Sequence, residues 1–161
     1  MKAKTLLPGL LVSLVVALGY GAWRLMSVRA QEACQACRRP IHAHTKTVGV
    51  LDGKRELFCC PSCALSEQSQ SGKSIEIVEL SDFRSGAKLF PSQAYVVRDS
   101  DENPCLKMQP ALNLDKQPLE LHFDRCVPSM LAFARRQDAV SFAEQHGGRV
   151  FRFADVASPV R

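Results

Sequence analysis

The sequence predicts an α+β fold of two tandem ββαβ units, and three observations predict it. A two-residue turn, Asp52-Gly53, sits between two strand-like runs. Pro61 opens a helical stretch that stops at Ser71-Gly72, and a run of alternating apolar and polar residues follows it. The same order of strand, strand, helix and strand returns near the end of the chain, so the units fall near residues 46–83 and 119–155.

The elements follow in order. Lys2 and Lys4 precede an uncharged stretch from Thr5 to Trp23 rich in Leu, Val, Ala and Gly. As a helix it reaches about 28 Å, close to the hydrocarbon thickness of a bilayer. Tyr20 and Trp23 fall at its far end, where amphipathic rings favour the interface, and Arg24 closes it. Residues 1–30 therefore read as a single-pass membrane anchor, the alternative being a signal cut after Val28-Arg29-Ala30. Gln31-Glu32-Ala33 before Cys34 lacks the small and aliphatic run that lipidation of that cysteine needs. Residues 31–161 are expected on the outer side of a bacterial inner membrane, in the periplasm, with subunits near 31–90 and 91–161.

Residues 47–51 and 54–58 flank the Asp52-Gly53 turn as a hairpin, because Gly accepts the positive φ such turns need. Pro61 suits the first position of a helix running to about Gln70. Residues 74–80 alternate as a half-buried strand. Tyr95-Val-Val97 adds a strand between the units, and residues 99–118 read as a loop rich in Asp, Asn and Pro. In the second unit the strands are 119–123, 130–133 and 149–153. Its helix is 138–146, with Ala139, Phe142 and Ala143 on one side and Gly147-Gly148 at its end.

Charge excludes one class of partner. Of 21 basic and 16 acidic residues, four basic and no acidic ones lie in residues 1–30, leaving seventeen against sixteen beyond them. The excess belongs to the membrane flanks, so nucleic acid is not an expected partner. No Ser–His–Asp arrangement, phosphate loop or carboxylate pair with motif spacing is present, and an enzyme is not expected.

The chemistry lies in the cysteines. Five of seven fall between Cys34 and Cys63: Cys34-Gln-Ala-Cys37, then Cys59-Cys60-Pro61-Ser62-Cys63. A Cys-x2-Cys turn, a hairpin, and a helix that begins with a second thiol pair form the layout of a treble clef, which brings four thiolates onto one metal ion. The helix start favours thiolate over thiol. Cys63 pairs with either Cys59 or Cys60, the two being equivalent on spacing. A surplus of thiols suits Cu(I), which accepts few soft ligands and exchanges them; Zn(II) held by four sulfurs as a structural staple is the alternative. His42 and His44 are auxiliary candidates beside Cys37. Export makes disulfides a further possibility, with Cys105 and Cys126 the ordinary pair. A redox role for Cys34-Gln-Ala-Cys37 is disfavoured, because Arg38-Arg39-Pro40 begins a helix poorly and no strand precedes it.

Asp52-Gly-Lys54 and Leu57-Phe-Cys-Cys60 resemble the TRASH-type modules of metal sensors and trafficking proteins. Ser81-Asp-Phe-Arg-Ser-Gly86, Ala94-Tyr-Val-Val97, Pro128-Ser-Met-Leu-Ala-Phe133 and residues 139–153 with His146-Gly-Gly148 resemble the NosL family, accessory proteins of nitrous-oxide reductase. The resemblance spans roughly residues 33–156. It implies an exported, membrane-attached Cu(I) chaperone that serves a copper enzyme or receives from a copper transporter. It also implies two related ββαβ units, similar to the metal-binding folds of organomercurial lyases.

Two positions depart from that pattern. Arg38-Arg39 stands where NosL-like chains carry Gly-Met after the first cysteine pair, and Cys126 stands where they carry Met. The lipid-bearing cysteine is replaced by the N-terminal apolar segment. The resemblance implies that Cys126, with Cys34 or Cys37, completes a Cu(I) site in the groove between the units. Met108, Met130 and His122 are further candidates, and Cys105 is either the disulfide partner of Cys126 or a second copper ligand. The expected metal ligands are therefore Cys34, Cys37, Cys59, Cys60, Cys63 and Cys126.

Overall fold

The computed structural model describes residues 15–21, 23, 33–107 and 124–157. Contacts divide the chain into Met1–Gln31 and Glu32–Arg161. Residues 15–21 are helical, and among the described residues no helix is long and apolar enough to cross a membrane. Most of the segment read as an anchor lies outside the described residues, as do the strand expected at 119–123 and the candidates Met108 and His122.

The rest is a mixed α+β structure with two antiparallel sheets. Strand β1 (Thr47–Leu51) turns through Asp52-Gly53 into β2 (Lys54–Phe58), helix α1 (Pro61–Ser71) follows, and β3 (Ile75–Ser81) returns. A short β4 (Lys88–Leu89) extends the sheet to the order β2-β1-β3-β4. The hairpin pairs Leu51 with Lys54 and Thr47 with Phe58, and Asp52 and Gly53 both take positive φ, 51° and 76°. Those are the dihedrals that let a two-residue loop follow the twist of the strands.

In the second sheet, β5 (Tyr95–Arg98) lies between β6 (Met130–Phe133) and β7 (Arg149–Arg152), in the order β6-β5-β7. Helix α3 (Arg136–His146) joins β6 to β7, and a short α4 (Phe153–Ala157) ends the described chain. Strand β5 is thus the centre of the second unit and not a link between units. All four of its residues pair on both sides, Tyr95 with Phe133 and Arg152 for instance. Each unit therefore places its first strand in the middle, flanked by its second and third. The expected loop at 99–118 also contains a helical turn, α2 (Pro104–Lys107), in which the N–H groups of Leu106 and Lys107 bond to the Asn103 carbonyl. Proline's fixed φ suits the first position of that turn.

Among the described residues three cores form, and their compositions differ. One holds Leu80, Leu89, Ala94, Val96, Met130, Ala132 and Phe153. Another gathers Val97, Leu131, Phe133 and Ala139, with Phe83 edge-on to Phe133 and Phe142 at 5.9 and 5.4 Å and the Phe133 and Phe142 rings tilted at 5.2 Å. The remaining core, under α1, is built around Phe58, Ile75, Ala64 and six buried cysteines. Gly49 lets that core close: a Cβ there would meet Ile75 Cγ2 at 2.7 Å and Phe58 Cε2 at 3.1 Å.

The two units are joined by Asp82, just past β3. Its carboxylate accepts the Ser85 hydroxyl at 2.6 Å and the Ala134 N–H at 3.0 Å, while the neighbouring Phe83 N–H reaches the Ala132 carbonyl at 2.7 Å. Burial pushes this carboxyl up, but the Ser85 hydroxyl and the Ala134 and Ser85 N–H groups outweigh burial and hold it below its usual value. A depressed folded value means that the contribution is present above the unfolded carboxylate pKa of about 4 and is lost as pH falls through the folded value. We expect Asp82→Asn to cost about 1–3 kcal/mol in urea denaturation at pH 7. The gap to wild type should shrink below about pH 4.

Candidate metal centre

The first two sulfurs come from a tight knuckle. An isolated bridge joins Ala33 to Pro40, the Cys34 N–H bonds to the Arg39 carbonyl, and the Arg38 N–H bonds back to the Cys34 carbonyl, both at 2.9 Å. Arg38 takes φ of 61°, which closes the knuckle. The Gln35 N–H bonds to the Leu57 carbonyl at 2.8 Å and pins the knuckle to the end of β2. Cys34 is fully buried and Cys37 half-buried.

Cys59 and Cys60 leave β2 directly into α1, and Cys63 lies in the first helical turn. Cys60 is the N-cap residue, with no side chain capping that end, and Pro61 is the first helical residue. The N–H groups and dipole of a helix start favour thiolate in general, but here neighbouring sulfurs outweigh them, and Cys60 and Cys63 are both raised. The knuckle, hairpin and helix start thus stand as the spacing predicted.

The second unit adds two more sulfurs. Cys105 is buried on α2, its Sγ 3.8 Å from the Cys59 carbonyl. Cys126 is fully buried and held at both ends of its peptide. Its N–H donates to Asp124 Oδ1 at 2.7 Å, and its carbonyl accepts from Asn103 Nδ2 at 2.8 Å. Arg39 grips Asp124 through two hydrogen bonds, at 2.8 and 2.5 Å, and points the same Nη1 at Cys126 Sγ at 3.3 Å. The pair is largely shielded, with side-chain exposures of 16% and 7%. Its Asp124 partner drives the Arg39 pKa upward, so the guanidinium is a fixed positive charge beside sulfur.

The sulfurs converge. Cys37 Sγ lies 3.5 Å from Cys59 Sγ, and Cys126 Sγ lies 3.6 Å from both Cys59 and Cys63. Cys60 Sγ is 3.9 Å from Cys59 Sγ. Two quartets have all their sulfurs within 4.8 Å of one another: Cys34, Cys37, Cys59 and Cys63, and Cys59, Cys60, Cys105 and Cys126. Sulfurs each about 2.3 Å from a tetrahedral ion stand about 3.8 Å apart. The contacts within a quartet, 3.5, 3.6 and 3.9 Å, lie within a few tenths of an ångström of that, so the cage can hold a soft ion. Spacing alone left Cys59 and Cys60 equivalent; the geometry separates them, because Cys59 belongs to both quartets and Cys60 only to the inner one.

The sulfurs shift one another in opposite directions. Cys126 is pulled far below its usual thiol value by hydrogen bonds from Cys105, then Cys37, Cys59 and Cys60, against the opposing effect of burial. Cys34 is lowered by Cys37, Cys59 and Cys63. Their donors move the other way: Cys59 and Cys60 are raised by Cys105 and then Cys126, Cys63 is raised by Cys126, and Cys37 is pushed up to about 11 by Cys126 and Cys34. A soft cation entering this cluster would displace protons from the sulfurs that bind it.

Not every candidate joins the cage. All seven cysteines are free, so Cys105 and Cys126 are not a disulfide, and Cys105 joins the inner quartet. His44 bonds through Nδ1 to the Phe83 carbonyl at 2.9 Å and packs over Gly86, while the His42 carbonyl caps the turn at Thr45 and Lys46. Neither histidine belongs to a thiol quartet among the described residues. Met130 is core, packed with Leu80, Val96 and Phe153. Arg39, Asp124 and Asn103 were not legible as site residues, since no spacing rule links a basic residue in a knuckle to an acid 85 positions later.

Breaking the Arg39–Asp124 pair tests this support directly. Arg39→Ala should destabilise the fold by about 3 kcal/mol, because it leaves a buried carboxylate unpaired. Asp124→Ala should cost a similar amount, and the double variant should cost clearly less than the two together in a denaturation cycle.

Three comparisons bear on the site. The NosL family model matches residues 126–160, which begin at Cys126 and run through β6, α3 and β7. No curated protein matches the chain. Among solved structures, the copper chaperone NosL from Shewanella denitrificans aligns with 17% identity and a TM-score of 0.49, over 76% of this chain and 87% of that one. The resemblance to the NosL family read from the sequence is thus matched by the family's own model across the strand–helix–strand that follows Cys126.

Proposed function

We propose that this chain is an exported, membrane-anchored Cu(I) carrier that hands its ion to a copper enzyme or receives it from a copper transporter. The observation that carries the reading is the cage itself: seven sulfurs in two overlapping quartets, six buried and one, Cys37, within reach of solvent. Soft thiolates select Cu(I), and an ion that accepts two or three sulfurs among seven has alternatives to exchange. Ligands are assigned to Cys34, Cys37, Cys59, Cys60, Cys63 and Cys126. Cys37, the half-buried member, is where an incoming partner's donor would first reach the ion.

The match of residues 126–160 to the NosL family model supports the assignment to copper trafficking. The apolar stretch at residues 5–23 supports a single-pass anchor that leaves residues 31–161 in the bacterial periplasm. Val15, Val16, Leu18, Tyr20 and Trp23 are all exposed, as lipid-facing side chains would be.

A structural zinc site is the second reading, and the near-tetrahedral spacing around Cys59 favours it. Titrating Cu(I) into the full chain, reduced and anaerobic, against a competing chelator separates the two. We expect tight binding that a competing thiol donor reverses. Cys126→Ser should weaken it about tenfold or more, or about 1.4 kcal/mol, with an unchanged circular dichroism spectrum. Weak copper binding, together with one zinc that leaves only on unfolding, would give the structural reading instead.

A further inference from the structure

The two quartets share a sulfur, and that fixes more than the identity of the ion. Cys59 belongs to both, and the Cys63–Cys126 contact at 3.6 Å joins them a second time. Four sulfurs saturate a single soft ion, and Cu(I) takes fewer, so one ion leaves at least three of the seven cysteines without a metal role. Cysteine is also a common small core residue, so surplus alone decides nothing. The inner quartet, however, is held in place by polar groups that plain core cysteines do not require. Asp124 and Asn103 fix the Cys126 peptide from both sides, and Arg39 brings a positive charge to 3.3 Å from its sulfur. Three charged or amide side chains committed to orienting one sulfur mark a ligand.

We propose that the cage binds two Cu(I) ions bridged by the Cys59 thiolate, one per quartet. This rests on the reading of the chain as a Cu(I) carrier. The inner ion lies among Cys59, Cys60, Cys105 and Cys126, all buried; the outer lies among Cys34, Cys37, Cys59 and Cys63, next to half-buried Cys37. A thiolate sulfur has lone pairs for two metals, and an ion in each quartet is within bonding reach of Cys59. Charge selects the metal. Two zinc ions with seven thiolates would bury a net charge of about −3, and Arg39, already paired with Asp124, offsets little of it. Two Cu(I) ions need only three or four thiolates, and the other sulfurs stay protonated as S–H donors. The outer ion is then the one that exchanges through Cys37, and the inner ion holds the bridge in place.

Native mass spectrometry of the full reduced chain titrated anaerobically with Cu(I) counts the ions. We expect saturation at two per chain, with orange luminescence of a bridged Cu(I)–thiolate pair emerging only with the second equivalent. Cys60→Ala/Cys105→Ala/Cys126→Ala, which leaves the inner quartet only Cys59, should saturate at one and lose the emission, and Cys34→Ala/Cys37→Ala/Cys63→Ala should do the same from the other side. Two ions retained in either triple variant, or no emission from the saturated wild type, would overturn the bridge; the emission decides it even where a triple variant fails to fold. Wild type saturating at one Cu(I) removes the second ion and leaves the carrier reading standing. No uptake of Cu(I) at all removes both.

Discussion

Sulfur occupies the place of hydrocarbon in the core under the first helix, and the rest of the structure is arranged around that substitution. Six cysteines are buried together with Phe58, Ile75 and Ala64. A core of aliphatic side chains needs only to exclude water. A core of thiols must also distribute protons and charge, because each ionised sulfur in a dry interior demands a partner. The chain meets that demand with the Cys37 N–H at Cys34 and a shielded guanidinium beside Cys126. A soft cation completes the same arrangement by replacing protons with metal.

The repeated ββαβ plan explains where the sulfurs come from. In the first unit two residues connect the first two strands, and the thiols flank that hairpin. In the second unit the corresponding strands, β5 and β6, are separated by residues 99–129, and this excursion carries Cys105, Asp124 and Cys126 back to the first unit's helix. Ser62 helps to hold it there, its hydroxyl donating to the Pro128 carbonyl at 2.5 Å, and Arg125 pairs with Glu67 on α1. Half of the inner quartet therefore comes from the two described ends of that segment, residues 99–107 and 124–129. Asp82 and Phe83 tie the end of β3 to the end of β6 through the Ala134 N–H and the Ala132 carbonyl.

Local signals carried much of this. The Asp52-Gly53 turn, Pro61 at a helix start and Gly147-Gly148 after α3 each act through the conformation of a few residues, and each element formed where its signal placed it. The first five cysteines were readable for the same reason, since close spacing already joins them two by two. Long-range pairing was not readable. Tyr95-Val-Val97 looks the same as a linking strand or as a central one, and only partners 34 and more residues away decide between them. Cys105 could be assigned to a disulfide or to a ligand set because its neighbours in space, Cys59 and Cys60, are distant in sequence. Arg39 read as a departure from a family pattern, where a thioether usually stands. Its role became visible only when Asp124 and Cys126 arrived beside it.

The central claim is that these sulfurs stay reduced and hold metal where the chain works. The direct measurement is mass spectrometry of the full chain taken from cells under anaerobic conditions, with one portion kept intact to count bound copper. The other portion is stripped of metal and alkylated without reductant. The account predicts copper on the intact chain and seven alkylated cysteines after stripping. Alkylation at three or fewer positions, with the clustered cysteines joined in disulfides and no copper bound, would contradict it.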